Sequence, residues 1–559
     1  MKLTRRDLLW GAAGTAGLLV TPVPWKLLDD VSIWSQNWPW IPQPARGPVE
    51  VKQSFCTLCP NGCGMRVRMA SGWPVGVAGV ASHPISRGAL CPLGFGAHQL
   101  NWHPQRLRTV RHGASSSSWE AARVAFAKAC SEGPIAIIDG YPGRAASSVF
   151  ETFVQKRNGS YRTVPGPETL ALAPYESWSG VPAAGLGYDL ENAQTIVSFG
   201  APLLDGWATP GRFTRLWAER AAGSTDPQLR LIQVEASLSR TAARAWQWVP
   251  VHAGSEAALA AGVARVLLDE RLVRARGPMP PMTLAEAAAQ TGLSTGAIAD
   301  LARTMVARPP VVVVANDDNP AIAALNVVLG AAGARGGIVR KSKHAESYAS
   351  AADIGSARAV LIDATVPWDF APHTNAEVFR FAAWDGGSGT ADWLLPAPGF
   401  LEELTDVPTA PASAIETYAV APGLLKALPE VQSAPQFLGG IDPALMTVEK
   451  IIHTRCADLF RGRAGTLQGQ EATPVAKFAS VQKLEEQLWK GAVWVGEPPR
   501  SPVFRCELKE WPASVRPAQA ANSSSANWSK AWRAPVLPPL ASKLYLESSL
   551  REVPDRRNV

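Results

Sequence analysis

The sequence predicts an α/β protein in which a small cysteine-bearing N-terminal domain precedes Rossmann-like α/β layers. Three observations predict it. Four cysteines fall in one window as Cys56-x2-Cys59-x3-Cys63-x27-Cys91. Short β-branched runs alternate with alanine- and leucine-rich stretches from Cys91 onward. The 559 residues are 47% hydrophobic and 18% charged, which supplies enough apolar surface for several packed layers and gives no compositional sign of general disorder.

Four thiolates at the observed spacing can close around one cubane 4Fe-4S cluster. Cys56, Cys59 and Cys63 share a tight loop in which Gly62 and Gly64 let the backbone turn sharply, and Cys91 closes the cage from a distance. Zinc is the main rival, although structural zinc sites more often use two separated Cys-x2-Cys knuckles. A pair of disulfides is the remaining alternative, and a chain of 559 residues needs no such staples to build a core. Cys130, Cys456 and Cys506 are scattered and read as small buried or surface thiols.

Candidate strands are Pro134 to Asp139, Thr195 to Phe199, Leu229 to Val234, Val311 to Ala315 and Ala359 to Asp363, each bounded by Gly, Pro, Asp or Asn. Helical periodicity marks the 120s through Cys130, Ala257 to Leu268 and Leu284 to Met305, with Ser294 or Thr295 a candidate N-cap inside the last. Such alternation implies parallel sheets, here as two related units near 120–270 and 300–410. Residues 409–445 and 513–540 are rich in Pro, Ala or Ser and read as loop or linker, with Pro538 to Leu550 a candidate final packed segment.

Net charge is +7, spread thinly and without a long Lys/Arg run on the body, so no nucleic-acid footprint is expected. The N-terminus carries Thr4-Arg5-Arg6-Asp7-Leu8-Leu9 and then an apolar run from Trp10 to Val20. This reads as a twin-arginine signal, the export route of proteins that fold around a cofactor first. The apolar run is about half of the ~20 residues that span a bilayer. No clear cleavage site follows, so the signal is either removed or retained as an anchor. Trp34, Trp38 and Trp40 then sit among prolines in an extended arm, suited either to a partner surface or to the chain's own domain.

The run from Phe55 through Arg108, with Cys-Thr-Leu-Cys-Pro-Asn-Gly-Cys-Gly, His83-Pro84, Gly88-Ala89-Leu90-Cys91 and His103-Pro104-Gln105-Arg106-Leu107, resembles the N-terminal cluster domain of the molybdopterin oxidoreductases related to dimethyl sulfoxide reductase. Asp189-Leu190-Glu191-Asn192, the Val249 to Leu259 segment, Leu325-Asn326, Gly336-Gly337 and Ala391 to Pro396 follow in the family's order, so the likeness covers roughly 50–410. The resemblance implies Cys56, Cys59, Cys63 and Cys91 as ligands of one 4Fe-4S cluster. Two departures bear on molybdenum. The family's basic residue two places after the last cluster cysteine is Leu93 here, and no cysteine occurs between Cys130 and Cys456 to ligate the metal. Ser177, Ser179 and Asp205 are formally available in its place. The family's C-terminal barrel domain is expected to be reduced or absent, and molybdopterin with it.

The Trp-rich arm, Cys91-Pro92-Leu93-Gly94, Gly200 to Trp207 and Ser542 to Ser548 resemble a molybdenum-free subgroup, the molybdopterin-like subunits of the quinone-reductase complex and of alternative complex III. That likeness implies three partners: a multihaem cytochrome c, a ferredoxin-like iron-sulfur subunit, and an integral membrane quinone-site subunit. It implies the periplasmic face of the inner membrane, with membrane contact through the N-terminal segment or the partners, and an electron-transfer or scaffold role rather than catalysis by this chain. A catalytic molybdopterin oxidoreductase acting on a small oxyanion or sulfur compound is the alternative. The expected layout is 1–30 signal or anchor, 31–50 arm, 51–112 cluster domain, 113–300 and 301–445 α/β domains and 446–559 an irregular C-terminal segment. His83, His98, His103 and His112 read as turn or packing histidines, Asp317-Asp318 as a ligand group or helix cap, and Gly140-Tyr141-Pro142-Gly143-Arg144 as a strand-end loop placed to cradle a pterin phosphate but without dinucleotide spacing.

Overall fold

The computed structural model describes residues 4–20, 47–341 (less 164, 205, 208, 209, 224, 225, 275 and 276), 354, 357–364, 376–384, 391–497 and 504–512. The tryptophan arm, Asp205 and the stretches at 513–540, 538–550 and 542–548 lie outside the described residues. Arg5–Val20 is one helix. Thr4 starts it, accepting the Asp7 N–H at 3.3 Å while the Asp7 carboxylate accepts the Thr4 N–H at 2.9 Å. Among the described residues no helix is long and apolar enough to cross a membrane.

The cysteine-bearing domain is built on three antiparallel strands, β1 (Val49–Phe55), β2 (Gly64–Ala70) and β3 (Trp73–Gly79). Alternation along β2 turns Met65, Val67 and Met69 inward and leaves Arg66 and Arg68 exposed. The inward row packs on Leu93, Ala97 and Leu100 and on Ala383, Trp384, Phe400 and Leu401 from far along the chain. Polar contacts fix that docking. The Trp384 indole donates to the Leu100 carbonyl at 2.8 Å, and Arg106 holds Glu402 through two bonds of 2.6 and 3.1 Å with both side chains buried.

The central sheet has seven strands. In spatial order they are Ser115–Ser117, Val110–His112, Trp393–Pro396, Glu377–Ala382, Ala359–Asp363, Ile135–Asp139 and Ser160–Thr163. Its last five strands pair in parallel and the first two are antiparallel. Ile135–Asp139 and Ala359–Asp363 are buried along their whole length, as unbroken apolar strands between helical layers should be. A second, four-stranded parallel sheet orders Gln247–Pro250, Arg230–Glu235, Thr195–Phe199 and Val311–Ala315. It packs against the helices Glu256–Asp269, Thr295–Val306 and Pro320–Val328 in the largest core.

The two α/β units therefore interleave instead of following one another near 120–270 and 300–410. The four-stranded unit is inserted between Ser160–Thr163 and Ala359–Asp363, and strands from either side of it share the central sheet. Alternation marks strands but carries no information on pairing, and the entropic cost of closing a long insertion grows only slowly with its length. The helical stretch from Leu284 to Met305 is two helices, Leu284–Thr291 and Thr295–Val306, divided at Gly292 with φ +76° and restarted by the Ser294 hydroxyl, which accepts the Ala297 N–H.

The C-terminal third is more regular than its composition suggests. Residues read as linker or irregular form helices Ala434–Ile441, Val448–Gly462 and Val481–Trp489 over a five-stranded antiparallel sheet ordered Thr405–Val407, Thr417–Ala421, Val493–Val495, Thr466–Gln468 and Ala472–Pro474. Strands of three to five residues are too short for visible alternation, and the proline near the start of the first helix sits where its missing N–H costs nothing. This sheet reaches the cysteine loop. Gly62 has φ +57°, and a Cβ added there would stand 2.1 Å from the Val407 Cγ1.

Replacing Arg106 by Leu, which strands the buried Glu402 carboxylate, is expected to lower stability by about 3–5 kcal/mol in urea unfolding. Gly62→Ala meets both the left-handed backbone and Val407, and a loss of about 1–3 kcal/mol in the same assay is expected.

Candidate metal centre

The local fold brings all four motif cysteines to one pocket. β1 ends at Phe55, the Cys56 N–H donates to the Cys63 carbonyl at 2.8 Å, and the loop between them closes like a short hairpin ahead of β2. Glycine lets His83 cover this loop, since a Cβ on Gly64 would lie 2.7 Å from its ring. Cys91 arrives from a separate turn as the N-cap of the helix Pro92–Gly96, its Sγ accepting the Gly94 N–H at 3.4 Å. The pocket is lined by Cys56, Cys59, Cys63 and Cys91 together with Leu58, Asn61, Leu90, Leu93, Gly94 and Gly211. Gly211 belongs to the helix Pro210–Arg220, so the inserted unit forms part of the wall.

Every one of these cysteines is free, and the lining is largely apolar. Burial pushes the Cys56 and Cys63 thiols well above their ordinary range, and the charges of the neighbouring cysteines push further. Cys59 rises to about 12, again mainly through burial and then through Cys91, against hydrogen bonds from the Asn61 backbone and side chain, the latter at 3.4 Å. Cys91 is raised by burial and eased by the Gly94 and Leu93 N–H groups. Four mutually repelling thiolates cannot persist in such a place alone. They fit a group that brings its own positive charge, as iron does in binding deprotonated cysteine. Among the described residues no group of three or more Cys, His, Asp or Glu side chains is drawn together tightly enough to hold a single metal ion.

The other candidates are structural. The His83 Nδ1 accepts the Ser86 N–H at 3.1 Å in a buried setting that lowers its pKa to about 4, so it stays neutral. His98 meets the Phe95 carbonyl, His103 accepts the Gln105 N–H, and His112 stacks on Trp393 at 4.2 Å between ring centroids. The Ser177 and Ser179 hydroxyls donate to carbonyls of their own helix. Asp317 accepts the Asn319 N–H, and Asn319 rather than the aspartates caps Pro320–Val328. Cys456 is fully buried, and Cys130 and Cys506 pack at the margins of two cores. The family-like pieces farther on also serve the scaffold. Asp189 accepts the Gly336 N–H at 2.8 Å, and Asn326 pairs with both backbone groups of Val313 at 2.8 and 2.7 Å.

A polar knot lies at the carboxyl ends of the two central parallel strands. The Arg144 guanidinium donates to Asp139 at 3.2 Å and to Asp363 at 2.6 Å, and Ser147 and Tyr161 complete Asp139 at 2.6 and 2.8 Å. The chain leaves Ile135–Asp139 toward one edge of the sheet and Ala359–Asp363 toward the other, so this is its topological switch point, where α/β folds place ligands. Beside it Asp406 accepts the Ala145 N–H at 2.7 Å and Arg455 at 2.6 Å, tying the C-terminal sheet and helix Val448–Gly462 to helix Ala145–Gln155. The sequence named Asn61 only as part of the cysteine motif and Tyr141 only within the strand-end loop 140–144, and it held no signal for Gly211 in the pocket wall or for Val407 against Gly62, which come from remote elements.

Residues 49–100, which contain all four cysteines, match the Molybdopterin oxidoreductase Fe4S4 domain. The chain is 32% identical over 365 residues to the menaquinone reductase, molybdopterin-binding-like subunit of Nitratidesulfovibrio vulgaris, a match covering 60% of this chain and 52% of that protein. It is 26% identical over 254 residues to a sulfite dehydrogenase subunit of Allochromatium vinosum, covering 40% and 24%. Formate dehydrogenase-O major subunit of Escherichia coli gives 26% over 255 residues, covering 39% and 24%. The chain thus spans about half the length of the first relative and about a quarter of the other two. Acetylene hydratase from Pelobacter acetylenicus shares the fold at a TM-score of 0.58 and 11% identity, over 80% of this chain and 74% of that one. The chain thus carries a molybdopterin oxidoreductase-type Fe4S4 domain at its N-terminus, followed by mixed α/β sheets whose fold is shared with acetylene hydratase.

Proposed function

We propose that Cys56, Cys59, Cys63 and Cys91 hold one 4Fe-4S cluster, and that the chain is an electron-transfer subunit of a membrane-associated, quinone-coupled complex without a molybdenum site. The observation that carries this reading is the convergence of the four motif cysteines on one apolar pocket inside a matched Fe4S4 domain. Bound there, the cluster would supply one-electron redox chemistry. The protein's part is to exclude water with Leu58, Leu90 and Leu93, to direct N–H groups at Cys59 and Cys91, and to hold the loop rigid through the Cys56–Cys63 backbone bond.

Two features support the absence of a pterin. Leu93, 4% exposed, stands where the resemblance expects a cation between cluster and pterin. At the switch point, Arg144 directs its donors to Asp139 and Asp363 instead of offering them to a phosphate. The quinone link, and partner subunits of some kind, are supported by the likeness to a subunit of a menaquinone reductase; the set of multihaem cytochrome c, ferredoxin-like and integral membrane subunits is what the sequence resemblance implies. The paired arginines Arg5 and Arg6 support export to the periplasmic face.

Metal and sulfide analysis of the purified chain is expected to return about four irons with no molybdenum and no extractable pterin. Stoichiometric molybdenum would overturn the reading in favour of a catalytic oxidoreductase. Reduction with dithionite should give a paramagnetic cluster signal, and Cys59→Ser should abolish or strongly diminish it while the far-ultraviolet circular dichroism stays near wild type.

A further inference from the structure

Among the described residues that line the cysteine pocket, Asn61 carries the one polar side chain besides the four cysteines. It is 8% exposed, and its Nδ2 donates to the Cys59 Sγ at 3.4 Å. The turn that contains it explains the reach. In Cys59-Pro60-Asn61-Gly62 the proline comes second, where its ring pre-sets the backbone, and the glycine comes last with φ +57°. Two residues on from Cys59, both the backbone N–H and the side-chain amide of Asn61 bond the same sulfur, and both ease the rise that burial imposes on that thiol. The other donors to these sulfurs include the backbone N–H groups of Leu58, Leu93 and Gly94, and a backbone donor is available to any sequence with the same loop shape. The Asn61 amide depends on the identity of one side chain.

We propose that Asn61 is a positioning residue that tunes the cluster, its side-chain N–H raising the reduction potential through the Cys59 sulfur. The proposal rests on the cluster reading above. Reduction adds one electron, taken from an external one-electron donor, to the iron-sulfur cage, while the amide proton stays on its nitrogen. A donor directed at a ligand sulfur stabilises the more negative form more than the oxidised one. The apolar wall of Leu58, Leu90 and Leu93 keeps that difference from being screened by water. An ionised sulfur can only accept, which fixes the amide with Nδ2 toward Cys59. Leu93 brings no charge to the pocket, so the Asn61 dipole is what its side chains offer the cage.

The test is a redox titration of the iron-loaded full chain, with dithionite as the one-electron donor and the paramagnetic signal as the readout. Asn61→Leu keeps the branched shape and removes the N–H. It is expected to lower the potential by about tenfold in the one-electron constant, which is about 59 mV, at unchanged iron content. A loaded Asn61→Leu chain that titrates at the wild-type potential overturns the role of Asn61. A second measurement reads the bond in the wild-type chain, so the proposal stays testable if the variant takes up no iron. With an isotopic nitrogen label placed only in the side-chain amides of asparagine, pulsed paramagnetic resonance of the reduced cluster should show one coupled nitrogen, since among the described residues no other asparagine lines the pocket. A loaded wild-type chain without that coupling overturns the proposal and leaves the cluster reading standing. A wild-type chain without iron overturns the cluster reading as well.

Discussion

Arg144 is the constraint on which the architecture turns. It is buried between Asp139 and Asp363, the last residues of two adjacent parallel strands that come from opposite sides of the inserted unit. Two carboxylates ending side by side in an apolar interior would repel and carry a heavy desolvation cost. A single guanidinium whose Nη2 donates to both carboxylates offsets both. The same residue begins the helix Ala145–Gln155 and fixes the Tyr141 loop, while Asp406 receives that helix's first N–H and couples it to Arg455. Central sheet, C-terminal sheet and cysteine loop thus meet within a few residues of one buried cation.

The metal centre inherits its shape from that junction. Its front wall is local, made by the Cys56 to Cys63 loop and the Cys91 turn, and glycines at 62 and 64 allow the close approaches. Its surroundings are remote. Val407 comes from the C-terminal sheet, Gly211 from the inserted unit, and Tyr141 from the end of a central strand. Burial makes the four thiols reluctant to ionise, and the cost of four thiolates there is offset by a group that brings its own positive charge.

Much of the secondary structure was legible. Thr195–Phe199, Val311–Ala315 and Ala359–Asp363 stand at the expected residues, since buried parallel strands are short apolar runs with turn residues at both ends. The pairing of those strands was not legible, as a one-dimensional pattern holds no record of which runs will be neighbours. Nor was the C-terminal sheet, whose strands at 405–407, 466–468 and 493–495 are too brief for alternation to show against a background of Pro and Ala. Leu284 to Met305 shows a smaller failure of the same kind. Periodicity ran through Gly292, but the left-handed backbone there ends one helix before Ser294 starts the next.

The sequence by itself determined the chemistry of the centre. Spacing within a tight loop is a local property, so Cys56, Cys59, Cys63 and Cys91 declared themselves as one set. Only the tertiary structure decided what surrounds that set. The partners of a buried group are chosen by packing between segments hundreds of residues apart, and so Tyr141, Arg144, Gly211 and Val407 acquire their roles only once the interleaved sheets have formed.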